Sequence, residues 1–248
     1  MAERPLSAEI EALQDRLLHL GSLAEGAVHK AIGSLRERKT ELAREVIEGD
    51  DEIDAVYEEI QEKSLLLLAV RNPAGTQLRR LAALLQIPTD LERIGDHAVD
   101  IAEITLRIVE HPEIKPLVDI PRMAGIVQRM VRESLDALVR GDTSLALAVC
   151  QTDEPVDILY EQLFDELIAF IRRDGDREQA GQAVQLLLVS RFLARIGDHA
   201  TNIAERVLYT LTGRRRPDSK RGGGSAGPAA DPAAQAEGGS EEAVGAPD

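Results

Sequence analysis

Arg93-Ile94-Gly95-Asp96-His97-Ala98 is repeated, residue for residue, as Arg195-Ile196-Gly197-Asp198-His199-Ala200. Subtracting 93 from 195 puts the copies 102 residues apart. Ile101-Ala102-Glu103 returns as Ile203-Ala204-Glu205 at the same offset. Upstream, Asp50-Asp51-Glu52-Ile53-Asp54 aligns with Asp153-Glu154-Pro155-Val156-Asp157, and Tyr57-Glu58 with Tyr160-Glu161, both at an offset of 103. Val28 and Leu35 map onto Val131 and Leu138. A match this long, extended on both sides, marks a duplicated structural unit.

The unit is helical. Ile10, Leu13, Leu17, Leu20, Ala24, Ala27, Ala31 and Leu35 follow steps of three and four, the spacing of an amphipathic helix. A second helix is predicted from about Thr40 to Val70, ended by Asn72-Pro73-Ala74-Gly75. A third runs from about Thr76 to Val109, with Pro88 expected to kink it by removing a backbone donor. Three prolines between His111 and Pro121 read as a stiff linker. A fourth helix reaches about Val139, and Gly141-Asp142-Thr143 is a turn. A fifth extends to about Arg173 and carries Pro155. A sixth ends near Thr212. The predicted organisation is a first three-helix repeat over 1–111, a linker over 112–121, a second repeat over 122–212 and a disordered tail over 213–248. The expected fold is all-α: two tandem three-helix bundles related by a pseudo-twofold axis. Gly95 and Gly197 lie mid-helix, where glycine costs about 1 kcal/mol against alanine. Their presence predicts close approach by another helix.

Composition agrees and excludes several functions. The 248 residues carry 29 Lys+Arg against 44 Asp+Glu, a net charge of −15. Such a chain has no basic field for nucleic acid and none for docking on anionic lipid. Aromatics are 2 % of residues, too few for base-stacking platforms. The single cysteine, Cys150, rules out an internal disulfide or a thiolate metal cage and reads as a small core residue. The longest apolar run, Leu65 to Val70, is too short to span a bilayer. The N-terminal residues lack a signal-peptide pattern. A cytoplasmic protein is the expectation.

The acids carry the chemical signal. With Ile94 at zero on a helical wheel, Ala98, Ile101 and Thr105 fall within about 40° and form the core stripe. Glu92, Asp96, Asp100 and Glu103 fall opposite. In the sixth helix Asp198, Asn202 and Glu205 take the same positions. Glu92 and Asp96 are four apart, so their carboxylates adjoin; Asp50 with Asp54, and Asp153 with Asp157, repeat that spacing. A solvated acidic face is the simple reading of any one pair. Three pairs in repeat register favour oxygen ligation of a hard cation such as Mg, Mn or Fe. The candidate metal ligands are therefore Asp50, Asp54, Glu92, Asp96 and Asp100, with Asp153, Asp157, Asp198, Asn202 and Glu205. His97 and His199 sit towards the shoulder of the core, which predicts packing contacts or capping before ligation. There is no phosphate loop, no His-Glu-x-x-His and no Glu-x-x-His pair of the di-iron type.

At Asp90-Leu91-Glu92-Arg93-Ile94-Gly95-Asp96-His97, at Arg195 to Glu205 and at Asp50 to Asp54, the sequence resembles the PhoU family, the phosphate-signalling accessory proteins of bacterial phosphate-specific transport. The resemblance covers about residues 7 to 212. It implies two three-helix bundles in a cytoplasmic, often dimeric regulator. It implies two partners, a phosphate-responsive sensor histidine kinase and the ATPase subunit of the phosphate ABC transporter, and a negative effect on uptake and starvation signalling. It also implies metal clusters on acid-x-x-x-Asp motifs: Asp50 with Asp54, Glu92 with Asp96, Asp153 with Asp157. The fourth motif departs from the pattern. Ala194 stands where an acid precedes Asp198, and Phe192 and Leu193 replace polar family residues. The second site is then either weaker or completed by Asn202 and Glu205. The alternative function is a carboxylate-bridged metalloenzyme or a metal-binding helical scaffold. Phosphate could meet so acidic a face only through a bridging cation.

Overall fold

The computed structural model describes residues 5–174 and 177–214. The predicted tail lies almost wholly outside them. The described residues form eight α-helices: α1 (Leu6–Glu37), α2 (Thr40–Glu48), α3 (Asp50–Arg71), α4 (Gly75–Ile108), α5 (Asp119–Arg140), α6 (Thr143–Gln151), α7 (Asp153–Asp174) and α8 (Arg177–Thr212). The first repeat is α1 to α4 and the second α5 to α8.

The predicted second and fifth helices are each broken in two. Thr152 closes α6 with its N–H on the Ala148 and Val149 carbonyls, and Asp153 opens α7. Pro155 explains this break. Its ring would clash with the carbonyl four residues back, at Gln151, and it has no N–H to donate, so it is tolerated only in the first turn of a new helix. In the first repeat the break falls at Gly49, whose N–H bonds the Glu45 carbonyl. Asp50, Asp51 and Glu52 then occupy the first turn of α3, where the helix dipole favours negative charge. Both breaks place an acid of the sequence motif at a helix start.

The turn at Gly141 is as predicted. Gly141 ends α5 with φ 63°, and the Asp142 side chain accepts from the Ser144 and Leu145 N–H groups at 2.9 and 3.0 Å. Helix α4 runs unbroken through Pro88. Beside this proline, Gln61 of α3 donates to the Leu85 carbonyl at 2.7 Å.

The core is one continuous cluster. Helix α1 packs on α4, α4 on α8, α8 on α5 and α5 back on α1, so these four helices close a ring. Helices α2 and α3 cover α4 and α1 on one side; α6 and α7 cover α8 and α5 on the other. In α1 the buried stripe is Ile10, Leu13, Leu17, Leu20, Ala24, Val28, Ala31 and Leu35, with Val28 taking the place predicted for Ala27. The segment between α4 and α5 is tied down: Arg38 donates to the Val109 and His111 carbonyls, and Gln182 to the Pro112 carbonyl at 2.9 Å. Cys150 is buried in the core. No helix of the described residues is long and apolar enough to cross a membrane.

Candidate functional site

Helix α3 lies across α4 where Gly95 removes a side chain. A Cβ there would stand 3.0 and 3.3 Å from Ile53 methyl carbons and 3.6 Å from Asp50 Oδ1. The missing methyl lets the N-terminus of α3 settle onto α4 and brings Asp50 and Asp54 towards Glu92 and Asp96. The four carboxylates feel one another. Burial first, then Asp54, Asp96 and Asp51, push the Asp50 carboxyl up to about 6 from 3.8. Glu92 is raised by burial and by Asp96, against the opposing pull of Arg93. Arg93 bridges its own neighbours, at 2.7 Å to Asp96 and 3.4 Å to Glu92. Asp50 Oδ1 is buried and accepts no hydrogen bond. A buried, unsatisfied carboxylate oxygen among like charges is a group that a cation would relieve. Among the described residues no three carboxylate, histidine or cysteine side chains are already drawn into a closed ligand set. As they stand, these side chains are not drawn together closely enough to hold a metal ion, although their oxygen donors are of the type a hard cation takes.

These acids are not fully outside, as the wheel predicted. Asp50, Glu92, Asp96 and Asp100 are half-buried, because α3 and α8 flank α4 on that face. Together with Arg93, His97, Val99 and, from the second repeat, Arg195, three of them line an open cleft of about 400 Å³.

The second repeat builds less. Burial and Asp157 raise the Asp198 carboxyl, so that pair is brought together. Asp157 itself is exposed and Asp153 half-buried. Ala194 is buried and adds no oxygen. Glu205 is exposed. Asn202 points its amide across the repeats to Asp90, at 3.3 Å. Gly197 has only ordinary contacts for a Cβ, with Val127 and Val156 at 3.5 Å, so the close approach expected at both glycines occurs only at Gly95.

Asp90 is the residue the sequence reading passed over. It is 4 % exposed and receives His199 Nδ1 at 3.0 Å, the Asn202 amide and Arg206 Nε at 2.8 Å, all from α8. Arg206 also reaches Gln86. The signal was available: one step of four back from Ile94 along the core stripe lands on an acid. The two motif histidines differ: His199 spends its ring nitrogen on Asp90, whereas His97 packs on an aromatic ring. His97 stacks on Phe192 at 5.5 Å and 22°, and its Nδ1 meets Asp100 at 3.2 Å. Burial lowers its pKa from 6.5.

The PhoU domain model matches the chain twice, over residues 17–105 and 120–207. The chain belongs to the PhoU family. A PhoU homolog from Clostridium acetobutylicum, a phosphate-specific transport system accessory protein, is 35 % identical over 216 residues, covering 87 % of this chain and 98 % of its own length. The homolog from Pseudomonas aeruginosa is 36 % identical over 208 residues, covering 84 % and 85 %. The crystal structure of P. aeruginosa PhoU superposes with a TM-score of 0.81 at 36 % identity, covering 85 % of this chain and all of that one. The phosphate transport system regulatory protein PhoU from Streptococcus pneumoniae superposes at 0.79 with 28 % identity, over 86 % of this chain and all of its own. The all-α PhoU fold read from the repeat therefore stands.

Proposed function

We propose that the chain is a negative regulator of phosphate uptake and of phosphate-starvation signalling. It acts in the cytoplasm, as a homodimer, by binding a sensor histidine kinase and the ATPase subunit of a phosphate ABC transporter. The carrying observation is the double PhoU match, 17–105 and 120–207, shared with relatives named as accessory proteins of phosphate-specific transport. Regulation by such a protein requires differential affinity: it must bind one state of its partner better than the other. An acidic face can meet basic partner surfaces directly or through bound cations.

Mg, Mn or Fe on the acid pairs would supply the bridging charge. Asp50, Asp54, Glu92 and Asp96 form the stronger site and Asp153, Asp157 and Asp198 the weaker. Asp96→Asn should therefore lower bound metal, read by elemental analysis, far more than Asp198→Asn; equal losses would contradict this ranking. The regulatory reading is tested by alkaline-phosphatase reporter activity in phosphate-rich medium, with the gene deleted and then restored. High activity on deletion and silence on restoration are expected. An unchanged reporter in a host with no second copy would overturn the reading, and oxygen consumption by the metal-loaded protein would favour the metalloenzyme instead.

A further inference from the structure

One end of the molecule is built unlike the rest. The last turns of α3, α5 and α8 meet the first turn of α4 there. Arg79 Nε of α4 donates to the Thr210 carbonyl of α8 at 3.2 Å. Leu211 lies 3.7 Å from where a Gly141 Cβ would stand, at the end of α5. Three residues join α3 to α4. Segments 64–80, 137–141 and 207–214 carry five arginines and no acid, and Arg215 and Arg216 follow directly in sequence. Arg80, Arg140 and Arg214 are exposed. Among them stand exposed apolar side chains: Leu66 and Val70 on α3, Leu78 on α4, Val139 on α5 and Leu211 on α8. Single exposed apolar residues are ordinary. A set of them at one end, interspersed with arginines, marks an interaction surface.

Nearby acids on other segments are largely spent. Glu9 pairs with Arg71 at 2.9 Å, Asp136 stands 3.5 Å from Arg140, and Asp142 caps α6. Glu11, near the start of α1, adds one negative charge against the arginines. The net charge of −15 opposes an anionic surface only where its acids lie within screening distance. From Arg80 to the acid pair at Asp96 is about 24 Å along α4, roughly three Debye lengths at physiological salt. The exclusion drawn from total charge therefore fails at this end, where the local charge is positive.

We propose that this end docks on an anionic phospholipid surface, its arginines on the headgroups and its leucines and valines at the acyl boundary. Arginine bonds phosphate with a planar fork, and apolar side chains beside it enter the interface while the charged heads stay wet. A bound peptide helix lays its apolar face along a continuous groove. Here the apolar side chains come singly or in pairs from four helix ends, which suits a fluid surface. Docking stands independently of the metal reading.

The test uses the full chain in sedimentation with vesicles of phosphatidylcholine alone, and of phosphatidylcholine and phosphatidylglycerol in equal parts. Binding to the anionic vesicles alone, released by salt, is expected. Arg80→Gln with Arg214→Gln should weaken it about tenfold or more. Leu66→Ser with Val70→Ser should weaken it too. Arg36→Gln with Arg107→Gln removes the same charge from the last turns of α1 and α4, at the opposite end, and should leave binding within about twofold, because the sites lie beyond the screening length. All these positions are exposed, and helical circular dichroism checks that each variant folds. Absence of binding to anionic vesicles overturns the proposal, as does equal weakening by the two arginine pairs. Binding indifferent to Leu66→Ser with Val70→Ser overturns the apolar contact. A fall in mass by light scattering in that variant, with vesicle binding unchanged, assigns the surface to a second copy of the chain instead.

Discussion

Asp50 carries a proton more tightly in the folded chain than in the unfolded one, since its carboxyl rises from 3.8 to about 6. A raised acid costs stability as pH climbs from about 4 through 6, where the unfolded chain has already released the proton. In chelator-treated protein, Asp50→Asn should thus stabilise at pH 7.5 by about 1 kcal/mol, after allowance for solvent screening at this half-exposed position, and by little at pH 4. Denaturant midpoints at the two pH values measure it; an equal gain at both would contradict the electrostatic cause. The two motif glycines should diverge as well. Gly197→Ala has room and should gain roughly 0.5–1 kcal/mol of helix propensity. At Gly95 the new methyl meets Ile53 at 3.0 Å, and overpacking of about 1–3 kcal/mol outweighs that gain. The same melts rank the two, and a more stable Gly95→Ala would refute the close approach. The acids were legible from the repeat because a spacing of four survives in any helix. Their partial burial was not, since a wheel knows one helix and this face is covered by two others.

At the scale of elements, the seam between α4 and α8 turns on Asp90. Asp90→Ala leaves His199, Asn202 and Arg206 without their common acceptor. Removing one member of a buried ion pair costs about 3–5 kcal/mol, and the partial exposure of Arg206 brings the expected loss to about 2–3 kcal/mol. Arg107→Ala, which removes an exposed i,i+4 pair with Glu103, should cost less than about 0.5 kcal/mol. Urea unfolding compares them; similar costs would mean that the seam is held by apolar contact alone. Helix existence and order were readable from periodicity and from the Gly141-Asp142 turn. The breaks at Gly49 and Thr152 were not, because the apolar period continues across both. Pro155 was the missed clue for the second, while at Gly49 the deciding term is the cluster of acids at a helix start.

Across the whole molecule, the ring of α1, α4, α8 and α5 leaves no boundary at which one repeat can melt alone. The chain has no tryptophan, so Tyr57→Trp and Tyr160→Trp would report the first and second repeats separately. Their denaturation midpoints should coincide, and distinct midpoints would show two independent units. The duplication announced two bundles; that they share one core could not be read from it, because identical stripes say nothing about which stripe faces which.

The seam itself is lopsided. By the offset of the duplication, Phe192 is the counterpart of Asp90. His199 therefore meets a carboxylate where His97 meets a ring. The counterparts of Asn202 and Arg206 are Asp100 and Ile104. Were α4 of one molecule to lie against α4 of another in the same way, Asp90 would face a second acid and an aliphatic chain instead of an amide and a guanidinium. Each half thus discriminates against its own duplicate and in favour of its sibling. The halves behave as lock and key within one chain, which steers a newly made molecule towards closing on itself instead of exchanging halves with its neighbours.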